Sequence, residues 1–164
     1  RENKRQKSNA EINLQIDAYL PSDYISDERQ KIEIYKRIRE IDSRVNYENL
    51  QDELIDRFGE YPDVVAYLLE IGLAKSYLDQ AFVKSVERQQ NAVSIHFEKI
   101  SQQLYLTQDY FEALSMTNLK ARIGEKNGLI EVIFDVRNKK DYEILEGLVN
   151  FGEKMLEIKQ RKAE

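Results

Sequence analysis

At 164 residues the chain has room for a single domain with a buried core, and its net charge of −5 is unevenly spread. The leading "RENKRQK" holds four basic residues and one acid, so the remainder carries −8, a balance that repels phosphate backbones and argues against nucleic-acid binding by the folded body. With no cysteine and one histidine, disulfide frameworks, cysteine-ligated zinc and most imidazole chemistry are excluded.

The chain starts at Arg1 with a polar, charged decapeptide, which points to a piece of something longer: residues 1–11 as a basic linker and residues 12–164 as the domain. No apolar run approaches the ~20 residues needed to cross a bilayer, and nothing resembles a secretory signal. A soluble, cytoplasmic domain, monomeric in isolation, is expected.

"INLQIDAYL" alternates Ile12, Leu14, Ile16 and Ala18 on one side, the period of a half-buried strand ended by Pro21. Asp27 and Gln30 read as a capping box opening a helix, with Ile34, Ile38, Ile41 and Val45 on one stripe. Asn46 reads as the cap of a second helix, in which Tyr47, Leu50, Leu54 and Phe58 align and Gly59 supplies a left-handed stop. Pro62 suits the first turn of a third helix, apolar nearly all round and therefore central, with Gly72 allowing a close neighbour.

Two strands follow, Val83 to Arg88 and Ala92 to Phe97, with Val93, Ile95 and Phe97 inward and His96 outward. A short helix is expected around Tyr110, Phe111 and Leu114. Asn127-Gly128 suits a two-residue hairpin turn that pairs Ile123 with Val132, Ala121 with Phe134 and Leu119 with Val136. The last helix, about 139–159, carries Ile144, Leu148, Phe151, Met155 and Ile158 on a single stripe. The fold class is α+β: a small antiparallel sheet including a hairpin at 119–136, packed with about five helices.

Chemistry is sparse. The six glycines are scattered, with no phosphate-cradling motif, and His96 on an outer strand face lacks the partners of a nucleophilic triad. Asp52, Glu53 and Asp56 are the best carboxylates for acid–base work or a hard cation, but an exposed helix flank offers no apolar pocket to separate their pKa values. No catalytic, cofactor or metal residue is assigned.

Those same carboxylates break local rules. Asp52 and Asp56 form a like-charged i,i+4 pair, unfavourable by about 0.2–0.5 kcal/mol, and Asp56 sits at the negative end of the helix dipole. Arg57, at i+4 from Glu53, offsets part of this and leaves Asp56 to find another partner. The pattern fits a docking patch for a basic surface.

"DAYLPSDYISDERQKIEIYKRI" followed by "ELIDRFGEYPDVVAYLLEI" resembles the C-terminal domain of the bacterial transcription-repair coupling factors, the Mfd family, with a specific match through about Ile71. The resemblance implies a non-catalytic regulatory domain at residues 12–164. Its parent would be an ATP-driven translocase on double-stranded DNA, using ATP and magnesium in an upstream motor, that displaces stalled RNA polymerase and recruits UvrA for excision repair. It further implies that the domain rests on the UvrB-like module of its own chain and hides the UvrA-binding surface, with Glu53 and Asp56 meeting basic residues there. The alternative is a nucleic-acid contact module using the basic arm with Lys84, Arg88, Lys120 and Arg122.

Overall fold

The computed structural model describes residues 9–164. The order of elements is β1 (Glu11–Asn13), α1 (Glu28–Arg39), α2 (Arg44–Phe58), α3 (Asp63–Gln80), β2 (Val83–Gln89), β3 (Ala92–Phe97), α4 (Ser101–Leu104), α5 (Thr107–Leu114), β4 (Lys120–Lys126), β5 (Leu129–Asp135) and α6 (Asp141–Lys162). The basic arm lies outside the described residues, apart from its last positions.

The α+β architecture is the expected one, with six helices and a five-stranded sheet in the order β1-β2-β3-β5-β4. Four strands are antiparallel, whereas β1 joins β2 in parallel, so the sheet is mixed. The hairpin has the expected register, Ile123 opposite Val132 and Ala121 opposite Phe134, and Asn127 and Gly128 both adopt positive φ at its turn.

The first strand is much shorter than its alternation suggests. Gln15 turns to φ 57, ending the ladder, yet Leu14 and Leu20 remain buried and the segment stays pinned by Tyr19 N–H donating to the Val64 carbonyl. Alternation reported which side faces the core; pairing depended on a partner edge.

The long helices α3 and α6 pack against each other, and α6 lies on the sheet. Gly152 makes the first contact possible, since a Cβ there would meet Leu78 Cδ2 at 3.1 Å. Phe151 makes the second, its ring edge-on to Phe134 at 5.6 Å and to Phe97 at 6.5 Å. All five residues of the expected α6 stripe are buried. The expected helix near Tyr110 is α5, preceded by the single turn α4; Tyr110 is buried while Phe111 points outward.

At the other end, α1 and α2 form a helical hairpin. Asp27 caps α1 by accepting from the Gln30 N–H, as expected. The second cap is Ser43, not Asn46: Ser43 Oγ accepts from the Asn46 N–H at 3.1 Å, so α2 begins three residues early. Val45 therefore leaves the α1 stripe and sits exposed in the first turn of α2, while Ile34, Ile38 and Ile41 remain buried.

Candidate interaction site

The C-terminal end of α2 is a rigid platform. Leu50 and Leu54 are buried beneath it, and Gly59, at φ 86, donates its N–H to the Ile55 carbonyl. The Tyr24 hydroxyl, from the segment before α1, donates toward the Leu54 and Gly59 carbonyls at 3.2 and 2.8 Å. Its ring packs against Phe58 and Tyr61. Polar groups left open by the helix end are thus tied to the "DAYLPSDYIS" stretch.

On this platform the three carboxylates have separate fates. Asp52 and Asp56 are exposed, and among the described residues neither has an ion-pair partner. Glu53 is half-buried and doubly paired: Arg37 of α1 lies 2.6 Å from one oxygen, and Arg57 Nη1 donates to the other at 2.7 Å. The Arg37 bond, then the Arg57 bond, hold the Glu53 carboxyl below its ordinary range. Arg57 also reaches Glu33 at 3.5 Å and lies 4.9 Å from the Phe58 ring centre. Cations and anions alternate from Arg37 through Glu53 and Arg57 to Glu33, tying α1 to α2.

The Arg57 partner of Glu53 was visible in the i,i+4 spacing. Arg37 was not, because its position opposite Glu53 depends on how two helices pack. Glu53 accordingly has two cationic partners within this domain, while among the described residues Asp56 has none.

The basic residues of the nucleic-acid alternative are divided between the two faces of the sheet. Arg88 shares a row with Val93, Phe134 and Ala121 on the helix-covered side, and donates to the Leu14 and Gln90 carbonyls. Lys120 and Arg122 lie on the opposite, open face, in rows with Asp135 and with Ile133, Ser94 and Glu87. They form no continuous basic stripe.

His96 also faces the open side, and it is held there: Ser85 Oγ is 3.3 Å from Nδ1 and a Glu131 oxygen 2.5 Å from Nε2. The trio has the order of a hydrolytic relay. Ser85 lies within β2, paired with Glu11 on one side and His96 on the other and directly after an irregularity in the ladder between Val83 and Ser85. Among the described residues no group of three or more acidic or histidine side chains is arranged to hold a metal, and no helix is long and apolar enough to cross a membrane.

Residues 14–108 match the family model described as the TRCF domain. The chain is 28% identical over 158 residues to the transcription-repair-coupling factor of Bacillus subtilis (strain 168), covering 96% of this chain and 13% of that protein. It is 30% identical over 149 residues to the corresponding factor of Staphylococcus epidermidis, covering 91% of this chain and again 13% of the relative. The chain therefore spans about an eighth of the length of these relatives. A solved structure of the C-terminal domain of transcription-repair coupling factor is 71% identical and matches with a TM-score of 0.93, over 96% of this chain and 98% of that one. The specific motifs, the α+β fold and these matches together place the chain in the TRCF domain family, as a C-terminal domain of transcription-repair coupling factor.

Proposed function

We propose that this domain is the regulatory, autoinhibitory piece of its parent and itself performs no catalysis. The parent is read as an ATP-dependent translocase on double-stranded DNA, with ATP and magnesium bound in an upstream motor, that displaces stalled RNA polymerase and brings in UvrA for nucleotide excision repair. In the resting parent the domain docks on the UvrB-like module of the same chain and masks the surface that UvrA uses.

The observation that carries this reading is the exposed Asp52/Asp56 flank of α2, unmatched by any cation among the described residues and built on a buried Leu50/Leu54 base. Asp56 makes the direct contact with a lysine or arginine of the UvrB-like module. Glu53, carried over from the family with Asp56, acts as a positioning residue: its bonds to Arg37 and Arg57 fix the angle at which α2 presents Asp56.

Exposed pairs are each worth about 0–1 kcal/mol, so several must act with apolar contact, and such a latch opens readily. Ile55, exposed on the same helix, is placed to supply part of that contact. The test is UvrA affinity of the intact parent against a parent lacking residues 12–164. Masking requires the truncated protein to bind UvrA more tightly; equal affinity rejects it.

The second reading, direct nucleic-acid contact through the basic arm, requires tight binding of this chain to duplex DNA with a steep salt dependence in a mobility-shift titration. The split between Arg88 and the Lys120/Arg122 face favours the first reading.

A further inference from the structure

A second surface lies on the other flank of α1, between its C-terminal end and the middle of α3. Here the helices enclose a groove of about 410 Å³, within the size range of ligand-binding clefts. Its floor is apolar, formed by Ile38, Ile41, Leu68 and Ile71. Gly72 keeps it shallow and firm, because a Cβ there would come within 3.0 Å of Ile38 Cγ2 and 3.1 Å of the Ile38 carbonyl oxygen. The rim carries Lys36, Arg39 and Lys75 against the single carboxylate of Glu40.

Among the described residues none of these three cations makes an ion pair, although residues 8–164 carry −8 and nine lysine or arginine ion pairs are formed elsewhere. Lys36 and Arg39 have an ordinary reason to be where they are, since basic residues in a last helical turn complement the dipole. Lys75 has no such reason, lying inside α3, whose last turn holds no basic residue. The adjacent Arg37 is committed to Glu53, so the basic turn of α1 serves both flanks: Arg37 ties α1 to α2, and Lys36 and Arg39 face the groove.

We propose that this groove is a docking site for an acidic amphipathic helix of a partner protein. Two apolar anchors at i and i+3 or i+4 would rest on the isoleucine and leucine floor, with flanking carboxylates on Lys36, Arg39 and Lys75. A single-carboxylate lipid would engage one cation and leave two unmatched. A phosphate backbone would bring a long polyanion against a body of the same sign, and the floor has no aromatic face on which bases could stack.

The test is selection of a randomised helical-peptide display library on this chain, with counter-selection on the Lys36→Glu, Arg39→Glu, Lys75→Glu variant. The substituted groups are on the rim, and a thermal melt confirms that the variant is folded. Selected peptides are expected to share acidic residues flanking two apolar positions three or four apart. They should shift the methyl resonances of Ile38, Ile41, Leu68 and Ile71, and lose about tenfold or more in affinity on the variant, with Lys75→Glu alone giving part of that loss. Peptides without an acidic pattern, or equal binding to the variant, overturn the proposal. So do groove methyl shifts produced by oleate vesicles or a DNA duplex but not by the peptides, or by self-association of the chain.

Discussion

The helices α6 and α2 divide the labour of the domain. Ten of the 22 residues of α6 are buried, wedged between α3 and the sheet, whereas only Leu50 and Leu54 are buried in the 15 residues of α2. A helix with so little burial is held by what surrounds its ends: the Ser43 cap, the Gly59 stop, the Tyr24 hydroxyl and the ion chain to α1. Its outer face is therefore free to carry charges that local preferences oppose, because changing them removes little packing. The contrast separates the helix that anchors the core from the helix whose outer face we propose for recognition.

The contrast breaks most visibly in the core. Phe151→Ala should destabilise the chain by about 3–5 kcal/mol in urea unfolding, since the ring is fully buried between Phe97 and Phe134. A loss below about 1 kcal/mol would mean that α6 does not organise the sheet.

The α1–α2 ion chain should contribute far less. An Arg37→Ala/Glu53→Ala double-mutant cycle is expected to give a coupling of about 0.5–1 kcal/mol, since both side chains remain about a third exposed, and to weaken with salt. Its pH dependence has a definite sign. The folded state lowers the Glu53 carboxyl value, so the contribution is complete above the unfolded carboxylate range and disappears as pH falls through the folded value. Coupling that persists in strong acid would point to packing instead of charge.

Glu70 gives the opposite sign. Burial first, and then the Glu146 carboxylate, push its carboxyl value up, with Arg44 opposing. A raised folded value contributes stability below the unfolded value that is lost as pH rises through the folded one, so ionised Glu70 is a burden at neutral pH. Glu70→Gln should raise the Tm at pH 7 and give no gain at pH 3. A lower Tm at pH 7 would indicate a bond from this carboxylate that outweighs its burial.

The smallest expected change in stability belongs to Asp56→Lys, within about 0.5 kcal/mol and on the favourable side, because it places a cation at the end of the helix dipole.

Much of this organisation was legible locally. The Asn127-Gly128 turn with its flanking alternation specified the hairpin, the 4-3-4-3 stripe specified α6, and Gly59 and Gly72 each marked a conformation or approach that a side chain would obstruct. The start of α2 was misplaced by three residues, although Ser43 was there to be read as a cap. The parallel pairing of β1 and the Arg37–Glu53 bridge depend on residues that meet only after folding, and no spacing within a single element encodes them. Of the two family-derived site residues, local electrostatics identified Asp56 as lacking a partner, but the partner of Glu53 from α1 emerged only with the fold.

The central claim is that Asp56 serves another module and not its own domain. Its most direct test is the affinity of the intact parent for UvrA when Asp56→Lys is the only change, alongside a thermal melt of this chain carrying the same substitution. The account predicts an unchanged or slightly higher Tm together with clearly tighter UvrA binding. An unaltered UvrA affinity, with the variant fully folded, would contradict it.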